Sequence, residues 1–289
     1  MTLLALAVSG RGVVDPDEPA VFADDEAFLR GRGAFETVRI YGGRPFLLDE
    51  HLARLEESAR RLGLPAVDSE LVRSLVGDAI AAAGRDDAFL RIYVTPGREG
   101  RGDPVALVLV AELPAELEEM RARGIGVISI PLGLDSPGLL GGVKSTSYAV
   151  NMVAMDEARR RGGDDAVFLA SGEIVLEGPT TNVWWRRGET LCTPALELGI
   201  LAGVTRGVVL ELAPRLGYRI EEGSYAVSEL AAAEEAFTSS SVRELMPVVA
   251  LEGAPIGDGT PGAAARELHA GLRRLAQPSS APSATTSAR

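Results

Sequence analysis

Two hydrophobic rhythms run through the chain. From Phe35 to Tyr41 apolar and polar residues alternate one by one, the period of a strand with one buried face. Gly42-Gly43 then reads as a two-residue hairpin turn, with residues 45–48 returning as the partner strand. At that point the period lengthens. Leu48, Leu52, Leu55, Ala59 and Leu62 recur at helical spacing, which predicts a helix capped by Asp49 and ended by Gly63. His51 and Arg54 fall together on or near one face of its first turns. A second helix is predicted over 69–83, and strands over 3–8, 88–94 and 105–110. Residues 15–25, with Pro16, Pro19 and several acids, and 96–104, rich in glycine and arginine, read as loops.

A polar connector follows at 114–123. Beyond it the pattern predicts a strand over 126–131 and a glycine-rich approach at 138–142. A helix over 147–161 leads to short strands at 166–170, 173–176, 181–186 and 190–192. A helix from Gly203 to Leu216, strands at 218–220 and 236–239 around a short helix near 227–233, a strand at 246–251 and a last helix over 261–275 complete the order. Residues 277–289 carry too little apolar mass to fold and are expected to be disordered. The sum is an α+β chain of two domains, 1–115 and 124–276, joined by 116–123. Each is expected to be a mostly antiparallel sheet with flanking helices.

Composition narrows the function. Hydrophobic residues make up 46% and charged residues 24%, an ordinary globular balance. A net charge of −12 argues against nucleic acid and anionic membranes as partners. No apolar run is long enough to span a bilayer, and the apolar opening reads as a strand rather than a signal peptide. The single Cys192 cannot form an internal disulfide and reads as a core residue, and the expected address is the cytoplasm. One cysteine and two distant histidines offer no Cys/His metal site.

The basic residues are lopsided. Of 29 Lys and Arg, only Lys144 is a lysine. Arginine serves wherever a positive charge is enough. A retained lysine points to the chemistry of a neutral primary amine: nucleophile, imine former or general base. The competing reading is a surface lysine spared by chance, and composition alone does not separate the two.

The residues around Lys144 do. Lys144-x-x-x-Tyr148, a helix, a strand and then Glu177-Gly178-x-x-Thr181-Asn182 resemble the signature of the fold-type IV pyridoxal-phosphate enzymes. These include the branched-chain and D-amino-acid aminotransferases and aminodeoxychorismate lyase. The resemblance covers residues 1–275. It implies a D-amino-acid aminotransferase-like fold, pyridoxal 5'-phosphate in a cleft between the domains, a small-molecule substrate and a homodimer. It makes Lys144 the Schiff-base lysine and proton shuttle, and Glu177 the carboxylate facing the pyridine nitrogen. Tyr148 becomes the partner of the ring hydroxyl, and Asn182 the residue that orders the Glu177 turn. The phosphate would be cradled by Arg54, Val204, Thr205, Ser240 and Ser241. His51 matches a family histidine and is read as structural.

The run Arg30-Gly-x-Gly-x-Phe-Glu-Thr37-x-Arg39, followed by Gly-Gly-Arg-Pro-Phe and His-Leu-x-Arg-Leu, looks most like the lyase branch. Those enzymes cut 4-amino-4-deoxychorismate into 4-aminobenzoate and pyruvate, in folate biosynthesis. On that resemblance Lys144 takes a ring proton, Thr37 assists the proton step and Arg101 holds a substrate carboxylate. The alternative is an aminotransferase on branched-chain or D-amino acids with 2-oxoglutarate. D-amino-acid transaminases carry an Arg-x-His pair in the 96–104 loop, whereas this chain has Arg101-Gly102-Asp103, and a carboxylate there would repel the substrate's own. The loop is also entered by Thr95-Pro96-Gly97, where the family often has Thr-Arg-Gly. A scaffold that binds without turnover is the third reading; decay of that kind would be expected to remove Lys144 or Glu177 first.

Overall fold

The computed structural model describes residues 2–133 and 138–277. The predicted disordered tail, apart from Gln277, lies outside the described residues.

The first half is built on an antiparallel sheet of six strands. They are β1 (Leu3–Val8), β2 (Gly12–Val14), β3 (Ala34–Tyr41), β4 (Arg44–Pro45), β5 (Ala88–Thr95) and β6 (Val105–Ala111), in the spatial order β2-β1-β6-β5-β3-β4. A short helix α1 (Glu26–Arg30) precedes β3, and α2 (Leu48–Arg61) and α3 (Ser69–Ala83) cover one face. The alternation in β3 decides which residues face which way. Val38 and Ile40 join Leu90, Ile92, Val108 and Val110 against Leu52 and Leu55 of α2 and Val72, Leu75 and Val76 of α3. Phe35, Thr37, Arg39 and Tyr41 therefore take the opposite face, toward the second half of the chain.

After α4 (Leu117–Arg123) comes a second sheet of nine strands: β7 (Ile125–Pro131), β8 (Asp165–Ala170), β9 (Ile174–Val175), β10 (Asn182–Arg187), β11 (Thr190–Pro194), β12 (Arg219–Gly223), β13 (Glu235–Ser240), β14 (Glu244–Leu251) and β15 (Ala254–Pro255). The order is β12-β11-β10-β13-β14-β7-β8-β9, with β15 on β14. This sheet is mixed: β11 with β12, β14 with β7 and β7 with β8 run parallel, and the remaining pairs are antiparallel. Its helices are α5 (Ala149–Arg160), α6 (Val204–Arg215), α7 (Val227–Ala231) and α8 (Ala263–Ala276). Tyr41 and Phe46 from the first half pack into the cluster of Trp184, Phe237, Val209 and Leu268, so the halves share apolar contact.

Asp49 does not cap α2. The cap position is Leu47, in a left-handed conformation with φ 53° and no side-chain hydrogen bond, while Asp49 sits in the first turn and pairs with Arg73 at 2.5 Å. Its charge there still complements the positive end of the helix dipole. The 114–123 connector contains α4. Residues 26–30, which continue from the 15–25 loop in sequence, form α1, capped by Asp25 and closed by Gly31 in the left-handed region.

Candidate active site

Lys144 belongs to the second half by sequence but is anchored to the first sheet. Its carbonyl accepts from Phe35 N–H at 3.1 Å, and its own N–H donates to Ser58 Oγ at 3.2 Å. Ser145 bridges Ala34, and Thr146 N–H donates to Gly33 O at 2.8 Å. The close approach requires glycine at position 31, where φ is +66° and a Cβ would collide with Ser147. The Lys144 amine lies 4.5 Å from the centre of the Phe35 ring and 5.9 Å from that of Tyr148. Burial depresses its pKa to about 8, and the Arg54 charge adds to the effect while Glu36 and Glu177 oppose it. An ammonium that releases its proton near neutrality is a usable base.

Glu177 follows the edge strand β9. Its Oε2 accepts from Leu201 N–H at 3.1 Å and from the Asn182 amide at 3.3 Å. Asn182 in turn donates to Leu201 O at 2.9 Å, so one amide fixes both the carboxylate and the segment that leads into α6. Gly203 completes this packing, because a Cβ there would strike the Asn182 side chain. No cation touches Glu177 among the described residues. Burial lifts it to about 7 against the pull of the Leu201 N–H and the charges of Lys144, Arg54 and Arg206. A carboxylate so placed is suited to a protonated ring nitrogen.

Tyr148 stacks edge-on against Phe35 at 5.2 Å and donates its hydroxyl to Pro179 O at 2.8 Å. Burial, with Glu177 nearby, pushes it up to about 12, so it stays a neutral phenol whose oxygen can accept one more hydrogen bond.

Val204, Thr205, Ser240, Ser241 and His51 line one small cavity. Gly203 caps α6 without a side-chain hydrogen bond, and the first backbone bond of the helix is Gly207 N–H to Gly203 O. The N–H groups of the first turn are thus free to meet an anion, with the helix dipole behind them. Arg54 does not line this cavity. Its Nε and Nη2 grip Glu36 at 2.7 and 2.6 Å, and its Nη1 donates to Ala202 O at 2.9 Å. One N–H on each terminal nitrogen is left over for an anion. These features fit a phosphate-bearing aldehyde cofactor: an amine, a carboxylate for a ring nitrogen, and a cradle of hydroxyls and of N–H groups left free at a helix start.

Thr37 lies on the same side of β3 as Phe35 and sits opposite Arg91 in register. Arg91 is a residue that sequence reading passed over. Its Nε is buried without a hydrogen-bond partner, and it has no ion pair among the described residues. Its charge is felt by both Lys144 and Tyr148. The signal was present: it is the one charge within the otherwise apolar run Ala88–Thr95. Glu36 was also missed. It is fully buried and takes His51 Nδ1 at 2.7 Å in addition to Arg54.

Arg101 stands apart. It is exposed at the tip of the 96–104 loop, and no side-chain hydrogen bond or ion pair connects it to these groups among the described residues. Asp103 is occupied with its own loop. It accepts from Arg98 N–H at 2.8 Å and from the Arg98 guanidinium at 2.7 and 2.6 Å, so its charge is neutralised locally. No cluster of three or more metal-binding side chains occurs among the described residues.

The family model for amino-transferase class IV matches residues 33–251. The chain is 34% identical over 257 residues to a bifunctional aminodeoxychorismate lyase / D-amino acid transaminase of Mycobacterium tuberculosis, covering 83% of this chain and 89% of that one. It is 32% identical over 256 residues to an aminodeoxychorismate lyase of Bacillus subtilis, covering 85% and 86%. Among solved structures, the PLP-bound form of a hypothetical aminotransferase from Mycobacterium tuberculosis superposes with a TM-score of 0.86 at 32% identity, over 94% of this chain and 98% of that one. With a family match spanning most of its length and a fold shared with a PLP-bound relative, the chain belongs to the class IV aminotransferase family of pyridoxal-phosphate enzymes.

Proposed function

We propose that the protein is a 4-amino-4-deoxychorismate lyase, releasing 4-aminobenzoate and pyruvate. The observation that carries this reading is the grouping of three side chains at one face of the first sheet. Lys144 is a base poised near neutrality, Thr37 is a hydroxyl on the same face of β3 as the Phe35 ring beneath that amine, and Arg91, opposite Thr37, is a cation with no ion pair among the described residues. When bound, pyridoxal phosphate supplies the electron sink that lets a substrate proton leave. Lys144 takes that proton, and Thr37 orients the donor or relays the proton. Arg91 holds a substrate carboxylate by a charge-assisted hydrogen bond. Glu177, fixed by Asn182 and Leu201, would hold the ring nitrogen, and Tyr148 the ring hydroxyl. Val204, Thr205, Ser240 and Ser241 would receive the phosphate, with Arg54 adding its spare N–H groups. The bifunctional Mycobacterium tuberculosis protein and the Bacillus subtilis protein named above both carry the lyase activity in their names.

A second reading, transamination of D- or branched-chain amino acids, is favoured by the pairing of Asp103 with Arg98. That pairing removes the repulsion an exposed acid in the loop would exert on an amino acid. Arg101, exposed at the loop tip, would then serve a site formed with a second copy of the chain. A homodimer is supported by the exposed apolar residues Phe28 and Leu29 on α1 and Val150 and Val153 within the first five residues of α5.

The test is a parallel assay: chorismate with an aminodeoxychorismate synthase for 4-aminobenzoate, and D-alanine or leucine with 2-oxoglutarate for transamination. Formation of 4-aminobenzoate dependent on this protein is the expected result. Substantial transamination with no 4-aminobenzoate would overturn it.

A further inference from the structure

The cavity at the first turn of α6 has one wall with no task in the reading above. His51 is 1% exposed, and its Nδ1 lies 2.7 Å from Glu36 Oε2. Its Nε2 has no hydrogen-bond partner among the described residues, and the ring borders the cavity together with Val204, Thr205, Ser240 and Ser241. Glu36 is ionised. Burial works against its charge, but Arg54 and His51 outweigh that and hold it at about 2. An ionised carboxylate only accepts, so Nδ1 carries the proton and the neutral ring presents a lone pair at Nε2. A lone pair repels an anion, whereas an N–H binds one.

We propose that His51 is a proton-linked anion-binding residue. When a phosphate group occupies the cavity, His51 takes one proton from solvent onto Nε2 and donates it to a phosphate oxygen, while Nδ1–H stays on Glu36. This deepens the assignment of the cavity as the phosphate cradle and rests on it.

The surrounding charges explain why the anion is needed. Arg54 lies on the same helix, Glu36 faces the ring from β3 and Lys144 from the segment before α5, while Arg39, Tyr41 and Glu244 border the same cavity. Burial disfavours the protonated ring. Glu36 opposes that, and the cations Arg54 and Lys144 reinforce it, leaving His51 below its ordinary pKa. Glu36 is already shared with Arg54. Glu244 is consumed by Tyr41 at 2.5 Å, His269 at 2.8 Å, Arg273 at 2.6 Å and Arg121 at 3.1 Å. Neither carboxylate has charge to spare for a second proton on the ring. A phosphate dianion brings it.

The chain has only two histidines, which makes the proton visible. Full-length protein labelled with heavy nitrogen at histidine gives two ring systems by NMR, and His51→Gln removes one and so assigns it. Near neutral pH, inorganic phosphate added to the cofactor-free protein should move His51 Nε2 from the range of a bare nitrogen to that of an N–H. Calorimetry in buffers of different ionisation enthalpy should record uptake of about one proton per phosphate dianion bound, once the proton that monoanionic phosphate sheds on binding is counted. His51→Gln should abolish the uptake and weaken phosphate binding about tenfold. Phosphate binding with Nε2 bare and no proton uptake overturns the proposal. If His51→Gln does not fold, His269→Gln assigns the signals and the unsubstituted protein decides. Failure of the cofactor reading is distinguishable: proton-linked phosphate binding without a borohydride-fixed adduct at Lys144 would sink that reading and leave this one. An adduct at Lys144 with no phosphate binding would do the reverse.

Discussion

Glu36 and Glu177 bear on the same amine from opposite halves of the molecule, and their surroundings are opposites. Glu36 is gripped by two nitrogens of Arg54 and by His51, and is held at about 2. Glu177 receives only a backbone N–H and a side-chain amide, both neutral, and is lifted to about 7. Burial pushes both upward; the presence or absence of a touching cation decides the outcome. A carboxylate with its cations already in place is part of the frame. One given only neutral partners is kept in reserve, and a protonated ring nitrogen is the partner we propose for it.

The contrast can be broken most severely at the amine both acids address. Lys144→Ala should lower turnover by roughly 10⁴-fold or more, and borohydride should no longer fix the cofactor to the chain, as read by intact mass. Normal turnover by this variant would remove the basis of the assignment.

Arg54→Ala tests the frame. It leaves Glu36 buried with only His51, and should cost about 3–5 kcal/mol of stability near neutral pH, measured by denaturant unfolding. The sign with pH follows from a folded value of about 2 against an ordinary 4.5. The stabilisation is present above the ordinary value and is lost as pH falls toward 2. The variant should therefore show a flatter acid limb than the parent.

Glu177→Gln tests the reserve, and its two effects should run in opposite directions. Turnover should fall on the order of 10²-fold. The cofactor-free protein should instead become more stable at pH above 7, by roughly 1–3 kcal/mol, because a raised folded pKa means the parent loses stability as pH rises from the ordinary value through about 7. Thermal melts at acid and alkaline pH check this: a gain that does not vanish at acid pH would contradict the stated cause.

The smallest effect is expected at Arg91. Arg91→Leu should raise KM for a carboxylate substrate about tenfold with less change in kcat, as steady-state kinetics would show. An unchanged KM would return the carboxylate to some other group, with Arg101 of a second copy first in line.

Sequence pattern went furthest where one face is buried. The alternation of β3 and the spacing of α2 follow from packing against each other, and both were readable. Elements too short to display a period were not: α1 spans five residues and β2 three. The parallel pairs of the second sheet depend on which strands meet, which one-dimensional order does not contain. In the site, Lys144, Tyr148, Glu177 and Asn182 stood out by motif. Arg91 and Glu36 did not, because a strand charge reads the same whether it faces solvent, a helix or a cleft. Asp103 was read as facing a ligand, since its embrace by Arg98 closes only when the loop folds back.

The anchoring of Lys144 to β3 has a mechanical consequence. Its backbone is stitched to the first sheet, whereas Glu177 and the first turn of α6 ride on the second. Any rocking of one half against the other would carry the Lys144 amine along with Thr37, Arg91, Arg54 and His51, as one tool head, and slide it past Glu177 and the first turn of α6.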